Sequence, residues 1–508
     1  MIAIGKKALS LQDVAAIVYD NAPVSVQDVL PEANENFKFL KEFSGSDKVI
    51  YGINTGFGPM AQYKIPYSER LSLQYNLIRS HASGNGQPIA IGYCKAMLLD
   101  RLSTFAQCRS GVHPDLLVLL AEMLNRNLIP VIYEHGGVGA SGDLVQLAHL
   151  ALAVVGEGEV FYKGKITPAK LAFEQEGITP FAIRLREGLA MMNGTSCMTG
   201  IGLLNLIAAR KLLHLSTLLS VTINELFEAY DDHISEELNV VKRHAGQREI
   251  ARQMREMVKG SKLMRSRHEH LYKETNETHF KDKVQEYYSL RCMPQILGPV
   301  FDTIAHAERV VLDELQSVSD NPVVDHHKKN IYHGGNFHGD YIGLEMDKLK
   351  IAITKLSMLA DRQLNYLLND KLNGKLPPFI NTLTIGLNFG IQGIQYSATS
   401  TVAENKALSH PVYIQSIPSN NDNQDIVSMG SNAALMCARV INNTFEVLAV
   451  HALSIAEATD YLELQEQLSP APKQLYQLVR SCSKKITADE PKFEDLRAIT
   501  TALKTWEI

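Results

Sequence analysis

The glycine-rich segment at residues 135–143 carries the residues best suited to unusual chemistry in this chain of 508 residues. It reads HGGVGASGD and contains the tripeptide Ala140-Ser141-Gly142. In a very tight turn, the Gly142 amide nitrogen can attack the Ala140 carbonyl carbon, because glycine has no Cβ to obstruct the approach. Loss of water would close a five-membered ring, and loss of the Ser141 hydroxyl would leave an exocyclic methylidene. The tripeptide therefore has the groups needed to form a 4-methylidene-imidazol-5-one, an electrophile made from the protein alone.

The same segment also shows the G-x-G-x-x-G pattern of dinucleotide-binding loops at Gly137, Gly139 and Gly142. That pattern needs a repeating βαβ context, whereas a helix at 143–155, a hairpin and then long helices follow here. We therefore expect no nicotinamide cofactor. An ordinary N-cap turn is the plainer alternative for Ala-Ser-Gly by itself. We expect Asp143 to open the helix at 143–155, whose N-terminus would favour electron density arriving on the ring.

The elements that must position this loop are mainly helical. Apolar residues at three- and four-residue spacing predict long helices at 203–230, 295–316, 343–368 and 427–461. The first half is mixed, with short helices at 70–78, 92–106 and 114–125, a possible strand at 128–133 and a β-hairpin at 159–167. The polar segment 243–283 predicts a solvated helix and a mobile loop. We expect a mostly α fold: an N-terminal domain (1–200) with the prosthetic-group loop and a lid, then a long-helix bundle (201–508).

Composition and charge restrict the partners. Apolar residues make up 45% of the chain, charged residues 21%, and the formal net charge is −5, which argues against nucleic acid or an anionic membrane as a partner. We see no secretory signal and no uninterrupted apolar run as long as a membrane span. Scattered cysteines without a C-x-x-C pair indicate a reducing, cytoplasmic location. The histidines near 325–338 lack zinc-like spacing, so we expect no metal.

Further blocks of sequence narrow the interpretation of the glycine-rich loop. The run GGVGASGDLVQLAHLAL resembles the prosthetic-group motif of the aromatic amino acid ammonia-lyases and aminomutases. Blocks resembling this family also occur, in family order, at 51–58 (YGINTGFG), 193–195 (NGT), 288–291 (YSLR), 335–338 (GNFH) and 423–428 (NQDIVS). A fumarase-type lyase is a weaker alternative, because its serine-rich signature loop is missing. A helical scaffold without catalysis is also weaker, because the matched polar positions are all present.

The resemblance implies a helical ammonia-lyase fold, similar to the fumarase and aspartase fold. It also implies that the 4-methylidene-imidazol-5-one (MIO) ring forms autocatalytically from residues 140–142 without an external cofactor. The expected assembly is a homotetramer whose sites are shared between subunits. The expected partner is a small aromatic amino acid.

The resemblance also implies roles for individual side chains. Tyr51 would be the base that removes a β-proton, and Arg291 would clamp the substrate carboxylate with two parallel hydrogen bonds. The other expected site residues are Asn193 beside the ring, Tyr288 at the catalytic centre, Gln285 in the polar wall with it, Phe337 packed on the ring, and Asn423.

Three positions bear on the substrate. Ser80-His81 falls in the block that faces the substrate side chain, where phenylalanine-preferring relatives have Phe-Leu and histidine ammonia-lyases also have Ser-His. Gln424 stands where histidine lyases carry a glutamate, which favours the phenylalanine and tyrosine branches. Because His81 offers a partner to a phenol, we expect elimination of ammonia from L-tyrosine to give trans-4-coumarate, as in a bacterial branch of tyrosine ammonia-lyases that this chain resembles. Histidine ammonia-lyase (urocanate), phenylalanine ammonia-lyase and tyrosine aminomutase remain open.

Overall fold

The computed structural model describes residues 1–45, 48–272, 276, 278–280 and 283–507, and most of them are helical. The helices are α1 (Leu11–Val18), α2 (Leu30–Ser44), α3 (Arg70–His81), α4 (Ile91–Ala106), α5 (Pro114–Asn125), α6 (Leu144–Val154), α7 (Ala169–Glu176), α8 (Glu187–Met192), α9 (Ser196–Leu226), α10 (Glu236–Val240), α11 (Ala245–Met257), α12 (Arg267–Leu271), α13 (Tyr288–Arg291), α14 (Met293–Leu315), α15 (Asp340–Leu368), α16 (Asp370–Asn373), α17 (Gln392–Leu408), α18 (Gly430–Tyr461), α19 (Pro470–Cys482) and α20 (Phe493–Thr505). Short 3-10 helices lie at Gln27–Val29, Gly58–Met60, Tyr67–Glu69, Asp231–Ile234 and Pro378–Ile380.

The strands are short. They are β1 (Ile2–Ala3), β2 (Val24–Ser25), β3 (Asn85–Pro88), β4 (Ile129–Pro130), β5 (Tyr133–His135), β6 (Glu159–Tyr162), β7 (Lys165–Pro168), β8 (Val323–Asp325) and β9 (Asn330–Tyr332). β1 pairs with β2 in parallel, while β3 with β5, β4 with β6 and β7, and β8 with β9 form antiparallel sheets. Strand β5, which precedes the glycine-rich loop, thus pairs antiparallel with β3. The loop therefore lacks the βαβ context that dinucleotide binding requires.

The predicted long helices are present as α9, α14, α15 and α18, and the hairpin at 159–167 is present as β6 and β7. The largest difference is α9, which begins at Ser196 although its apolar periodicity was strong only from residue 203. In the polar segment, α11 and α12 are helical, whereas residues 273–275, 277, 281 and 282 of the predicted mobile loop lie outside the described residues. The prediction of a mostly α fold with long helices is confirmed.

The chain forms two compact units. The first comprises Met1–Ile207, Ala307–Asp347 and Pro411–Met436, and the second comprises Ala208–His306, Lys348–His410 and Cys437–Ile508. All the strands given above fall in the first unit, which also contains the glycine-rich loop. The first unit is thus the mixed part of the fold. The division of the chain at residue 200 stays a prediction.

Two helices, α9 and α18, are long and apolar enough, by length and composition, to cross a membrane. Neither helix is an uninterrupted apolar run, because polar residues occur along both. In the structure, 72% and 67% of their most apolar windows are buried, as expected for core helices of a globular protein. Length and composition are therefore weak evidence that these two helices span a membrane. The cytoplasmic location stays a prediction.

A buried ion pair joins two stretches of the first unit. Arg186 donates to both carboxylate oxygens of Asp320 at 3.0 Å, and both side chains are fully buried. We expect Asp320→Ala to lower the free energy of unfolding by about 3–5 kcal/mol, because it leaves a buried guanidinium without its counter-ion. Urea denaturation followed by circular dichroism measures this loss.

The matched control is an exposed pair of similar geometry. Arg79 donates to both oxygens of Glu157 at 2.8 and 2.6 Å, but both side chains are exposed. Glu157→Ala should therefore leave the denaturation midpoint close to that of the wild type. Equal midpoint shifts in the two variants would contradict the assigned effect of burial.

Candidate active site

The first unit contains a cavity of about 740 Å³, within the range of roughly 300–1,000 Å³ that small-molecule sites occupy. Its walls come from the loop after Tyr51, helix α3, the glycine-rich loop, the end of α8, and the segments 321–338 and 420–427. The predicted site residues in its lining are Tyr51, Ser80, His81, Ala140, Ser141, Asn193, Phe337, Asn423 and Gln424. Residues from across the first unit thus meet at one place.

The tripeptide lies in a tight turn. Ser141 has φ 55° and Gly142 has φ 77°, both in the left-handed region, and Gly139 and Gly142 face each other across the turn. A Cβ at Gly142 would collide with the carbonyl oxygen of Gly194. Only glycine therefore fits this position. A compressed turn with an unobstructed amide nitrogen is the backbone that ring closure requires, so the residues present fit the MIO group.

Asp143 stands at the start of α6, as predicted, and its side chain has a further role. It precedes α6, but its carboxylate makes no capping bond to that helix. Instead it accepts the backbone N–H groups of Cys197 at 2.8 Å and Met198 at 3.0 Å, and the Ser431 hydroxyl donates to its other oxygen. Burial raises the pKa of Asp143 to about 6, against the lowering effect of these donors. Asp143 therefore caps α9, which explains why that helix begins earlier than its apolar pattern.

Asn193 is held from two sides. It is 2% exposed, and its side-chain nitrogen donates to the Asn321 carbonyl oxygen at 3.0 Å and to Asp320 Oδ1 at 3.4 Å. Arg101 donates to the Asn193 carbonyl oxygen at 2.9 Å. These bonds fix the orientation of the amide in the cavity wall, next to the tripeptide.

Tyr51 is positioned by its neighbours in the chain. Ile50 and Ile53 are each 1% exposed and pack in an apolar cluster with Val324 of β8 and Ile331 of β9. Tyr51 itself is half-buried and lines the cavity. Core packing on both sides thus holds the tyrosine at the cavity wall.

The phenolic oxygen of Tyr51 accepts the backbone N–H of Gly58 at 3.2 Å. The backbone N–H of Tyr51 donates to His333 Nε2 at 3.4 Å, and the Phe57 ring stands edge-on to the tyrosine ring at 6.1 Å. An N–H donated to a phenolic oxygen stabilises the negative charge that develops there when the proton leaves. The arrangement suits a general base.

Helix α3 contributes one face to the cavity. Leu73, Asn76, Leu77, Ser80 and His81 line it, at the three- and four-residue spacing of a single helical face. Sequence reasoning named only the last two. The other three lie within the predicted helix at 70–78, so continuing that helix by one turn would have placed them on the same face as Ser80 and His81. Asn321 and Asn420, which also line the cavity, carry no such signal.

The hydrogen bonds of His81 identify its tautomer. Its Nδ1 lies 3.0 Å from the Leu77 carbonyl oxygen and 3.0 Å from Ser80 Oγ. A carbonyl oxygen only accepts, so Nδ1 carries the proton. In the neutral imidazole, Nε2 is then a hydrogen-bond acceptor. The structure gives it no partner among the described residues.

Gln424 contacts the tripeptide itself. Its Nε2 donates to Ser141 Oγ at 3.1 Å, and its Oε1 accepts from Ser419 at 3.4 Å. The three residues Asn420, Asn421 and Asp422 all have positive φ, which these short polar residues tolerate best after glycine. This left-handed turn carries Gln424 into the cavity, a contact that the sequence did not predict.

The remaining predicted site residues lie elsewhere. Gln285, Tyr288 and Arg291 belong to the second unit and are not part of the cavity lining. Tyr288 is 69% exposed, and the Arg291 guanidinium lies over its ring at 4.8 Å.

One group of possible metal ligands occurs among the described residues, formed by Glu32, His326 and His327. Asn36 argues against a metal there. Its Oδ1 accepts the Gly111 N–H at 2.7 Å, so its Nδ2 donates to His326 Nδ1 at 3.0 Å. A metal-binding histidine needs its other nitrogen to donate instead. We assign no metal to this group, and the expectation of no catalytic metal stays a prediction.

Comparison with known proteins shows the family and the fold of this chain. Residues 9–481 match the family described as aromatic amino acid lyase. A tyrosine 2,3-aminomutase of Myxococcus sp. (strain Mx-B0) is 40% identical over 89% of this chain and 86% of its own. A histidine ammonia-lyase of Geobacillus sp. (strain WCH70) is 36% identical over 99% of this chain and 96% of its own. The crystal structure of a tyrosine aminomutase from Streptomyces globisporus superposes with a TM-score of 0.95 at 34% identity, covering 99% of this chain and 96% of that one.

Proposed function

Because this chain belongs to the aromatic amino acid lyase family, whose members act on small aromatic amino acids, we propose that it eliminates ammonia from L-tyrosine to give trans-4-coumarate. The observation that carries the proposal is the tautomer of His81, which leaves an acceptor nitrogen on a residue of the cavity wall. A phenol hydroxyl can donate to this nitrogen. A phenyl ring cannot.

The reaction breaks a C–H bond at Cβ and a C–N bond at Cα, forms a double bond between them and releases ammonia. The MIO ring formed from Ala140, Ser141 and Gly142 would supply an electrophile for the substrate amine. Tyr51, as the phenolate, takes the β-proton on its phenolic oxygen, to which the Gly58 N–H donates. Asn193 and Phe337 hold the substrate against this wall.

The test of the substrate is His81→Phe, assayed with tyrosine and phenylalanine in parallel. We expect the ratio of kcat/KM for tyrosine to that for phenylalanine to fall by about 10²–10⁴-fold, because a site built for a hydroxyl rejects the analogue without one. His244→Phe, at an exposed position of the second unit, is the matched control and should leave the ratio unchanged. An unchanged ratio in His81→Phe would refute the role of His81.

A tyrosine aminomutase is the second candidate, favoured by the 40% identity to a protein of that name. Both reactions begin with the same elimination, but an aminomutase returns the amine to Cβ. Ammonia and coumarate released from L-tyrosine in equal amounts would support the lyase. Accumulation of β-tyrosine without free ammonia would support the aminomutase. Turnover of histidine alone would support the histidine lyase and overturn both.

We also propose a homotetramer in which a second copy supplies Gln285, Tyr288 and Arg291 to the cavity of the first. Large apolar side chains on the surface support an assembly, among them Ile385, Leu387 and Phe389, which are 70%, 71% and 63% exposed. Monomeric proteins rarely expose apolar surface of this kind in one segment.

Mixing two inactive variants tests the shared site. Tyr51→Phe and Arg291→Ala should each lose most activity as pure proteins. When they are co-expressed and assemble at random, about a quarter of the sites should combine an intact Tyr51 from one copy with an intact Arg291 from another. Activity should therefore return to about that fraction of the wild-type value. If both residues of a site came from one chain, the mixture would stay as inactive as its components.

A further inference from the structure

A second cavity in the first unit shares no lining residue with the one described above. It measures about 440 Å³ and lies against the first turns of α4, the end of α1 and the β6–β7 hairpin. One of its polar lining residues is Lys95, which is only 3% exposed. The proposed reaction makes no use of this lysine.

Lys95 is a buried cation with only neutral partners. Its ammonium donates to Asn21 Oδ1 at 2.6 Å and to Asn127 Oδ1 at 2.7 Å. The described residues include no carboxylate that pairs with it. Burial lowers its pKa, and no acidic group offsets that effect. Because an ammonium has three donors and the two amides take two of them, one N–H remains for an acceptor.

The two asparagines are built for this contact. Asn21 and Asn127 follow α1 and α5, and both have positive φ, at 55° and 53°. Asn127 also donates to Asn21 Oδ1 at 2.8 Å. Two left-handed residues and one shared network thus fix the ammonium at the side of the cavity.

The rest of the cavity is also positive. Its charged lining residues besides Lys95 are Arg126, Lys163 and Glu176. Glu176 is already engaged by the other two, at 3.7 and 3.6 Å, and by Tyr162 at 2.5 Å. Three cations therefore face one occupied carboxylate. Ile91 and Gly92, in the first turn of α4, also line the cavity, and the preceding Ala90 has no side chain that could cap that helix.

The lining also includes apolar and aromatic residues, namely Val18, Tyr19, Ile91 and Phe161. We propose that this cavity binds a small aromatic monocarboxylate, with its carboxylate on Lys95 and the first turn of α4 and its ring against Tyr19 and Phe161. The single free N–H of Lys95 suits one carboxylate oxygen. The cavity is large enough for an aromatic ring, and its apolar walls can pack against one. A bare inorganic anion would leave those walls without a partner.

Equilibrium dialysis of the full chain with 3-phenylpropanoate tests the proposal. Wild-type protein should show a binding component that is weakened at least about tenfold in Lys95→Met, since the variant loses a charge-assisted bond. Lys165→Met, an exposed lysine on the same hairpin outside the lining, is the matched control and should bind like the wild type. The neutral 3-phenylpropanol should bind about tenfold more weakly than the acid.

Tyr19→Ser serves as a second variant because Tyr19 is 55% exposed and its loss leaves the lysine network intact. It too should weaken the Lys95-dependent component, even if Lys95→Met folds poorly. Equal binding by wild type, Lys95→Met and Tyr19→Ser would overturn the proposal. Displacement of the probe by inorganic phosphate at equal affinity would also overturn it, because the apolar walls would then contribute nothing. Dialysis does not depend on turnover, so failure of the proposed lyase activity leaves this test valid.

Discussion

The Ser141→Ala variant is expected to lose ammonia elimination almost completely, with kcat lower by about 10³-fold or more. Alanine has no hydroxyl to eliminate, so the methylidene carbon cannot form. The turn itself should persist, because the substitution removes only Oγ, which accepts a hydrogen bond from Gln424. The protein should therefore fold, assemble and bind an aromatic amino acid without converting it. Steady-state assays and circular dichroism of the variant measure both expectations.

Intact mass separates a missing ring from a misfolded site. Ring formation loses two waters, so the wild-type chain should be about 36 Da lighter than its encoded sequence. Ser141→Ala should show no such deficit, whereas Ser481→Ala, at an exposed position of α19, should keep both the deficit and the activity. A wild-type chain of full encoded mass would remove the basis of the proposed lyase and favour a helical protein without this chemistry.

The Tyr51→Phe variant should show the next largest loss. Removing the phenolic oxygen takes away the group proposed to accept the β-proton, and general base catalysis typically contributes about 10²–10⁴-fold to the rate. The backbone at this position should stay in place, because Ile50 and Ile53 on either side of residue 51 in the chain are anchored in the core, so KM should change little. The variant should still form the MIO ring, which the mass measurement verifies. A kcat loss with an intact ring and a near-normal KM isolates the proton-transfer step.

Tyr63→Phe is the control for this variant, since Tyr63 lies in the same loop, is 69% exposed and does not line the cavity. Its activity should match the wild type. If Tyr51→Phe kept normal turnover, another group would have to take the proton. If it lost the mass deficit, the role of Tyr51 would lie in ring formation instead.

Local patterns predicted much of the fold. Apolar spacing identified α14, α15 and α18, because the buried face of a helix places an apolar residue at every third or fourth position. Turn chemistry identified the β6–β7 hairpin, where Lys163 and Gly164 take the left-handed backbone that the turn needs. The start of α9 was missed because its cap comes from Asp143, far away in sequence. No spacing rule reports a cap of this kind.

The candidate site, like the fold, was only partly predictable from the sequence. The chemistry of Ala140-Ser141-Gly142 could be read from the residue types, since an unobstructed amide nitrogen and a hydroxyl that can leave are local properties. The protonated nitrogen of His81, the contact of Gln424 with Ser141 and the Gly58 N–H on Tyr51 could not. Each depends on the orientation of a side chain within folded surroundings.

By itself, then, the sequence determined the family, the helices that carry the loop and the tripeptide proposed to form the electrophile. Only the tertiary structure decided that nine of the predicted residues line one cavity while Gln285, Tyr288 and Arg291 lie outside it. The physical reason is that residue type and spacing encode backbone preference and the buried face of an element. Which distant side chains meet depends on packing between elements. No local sequence pattern specifies that packing.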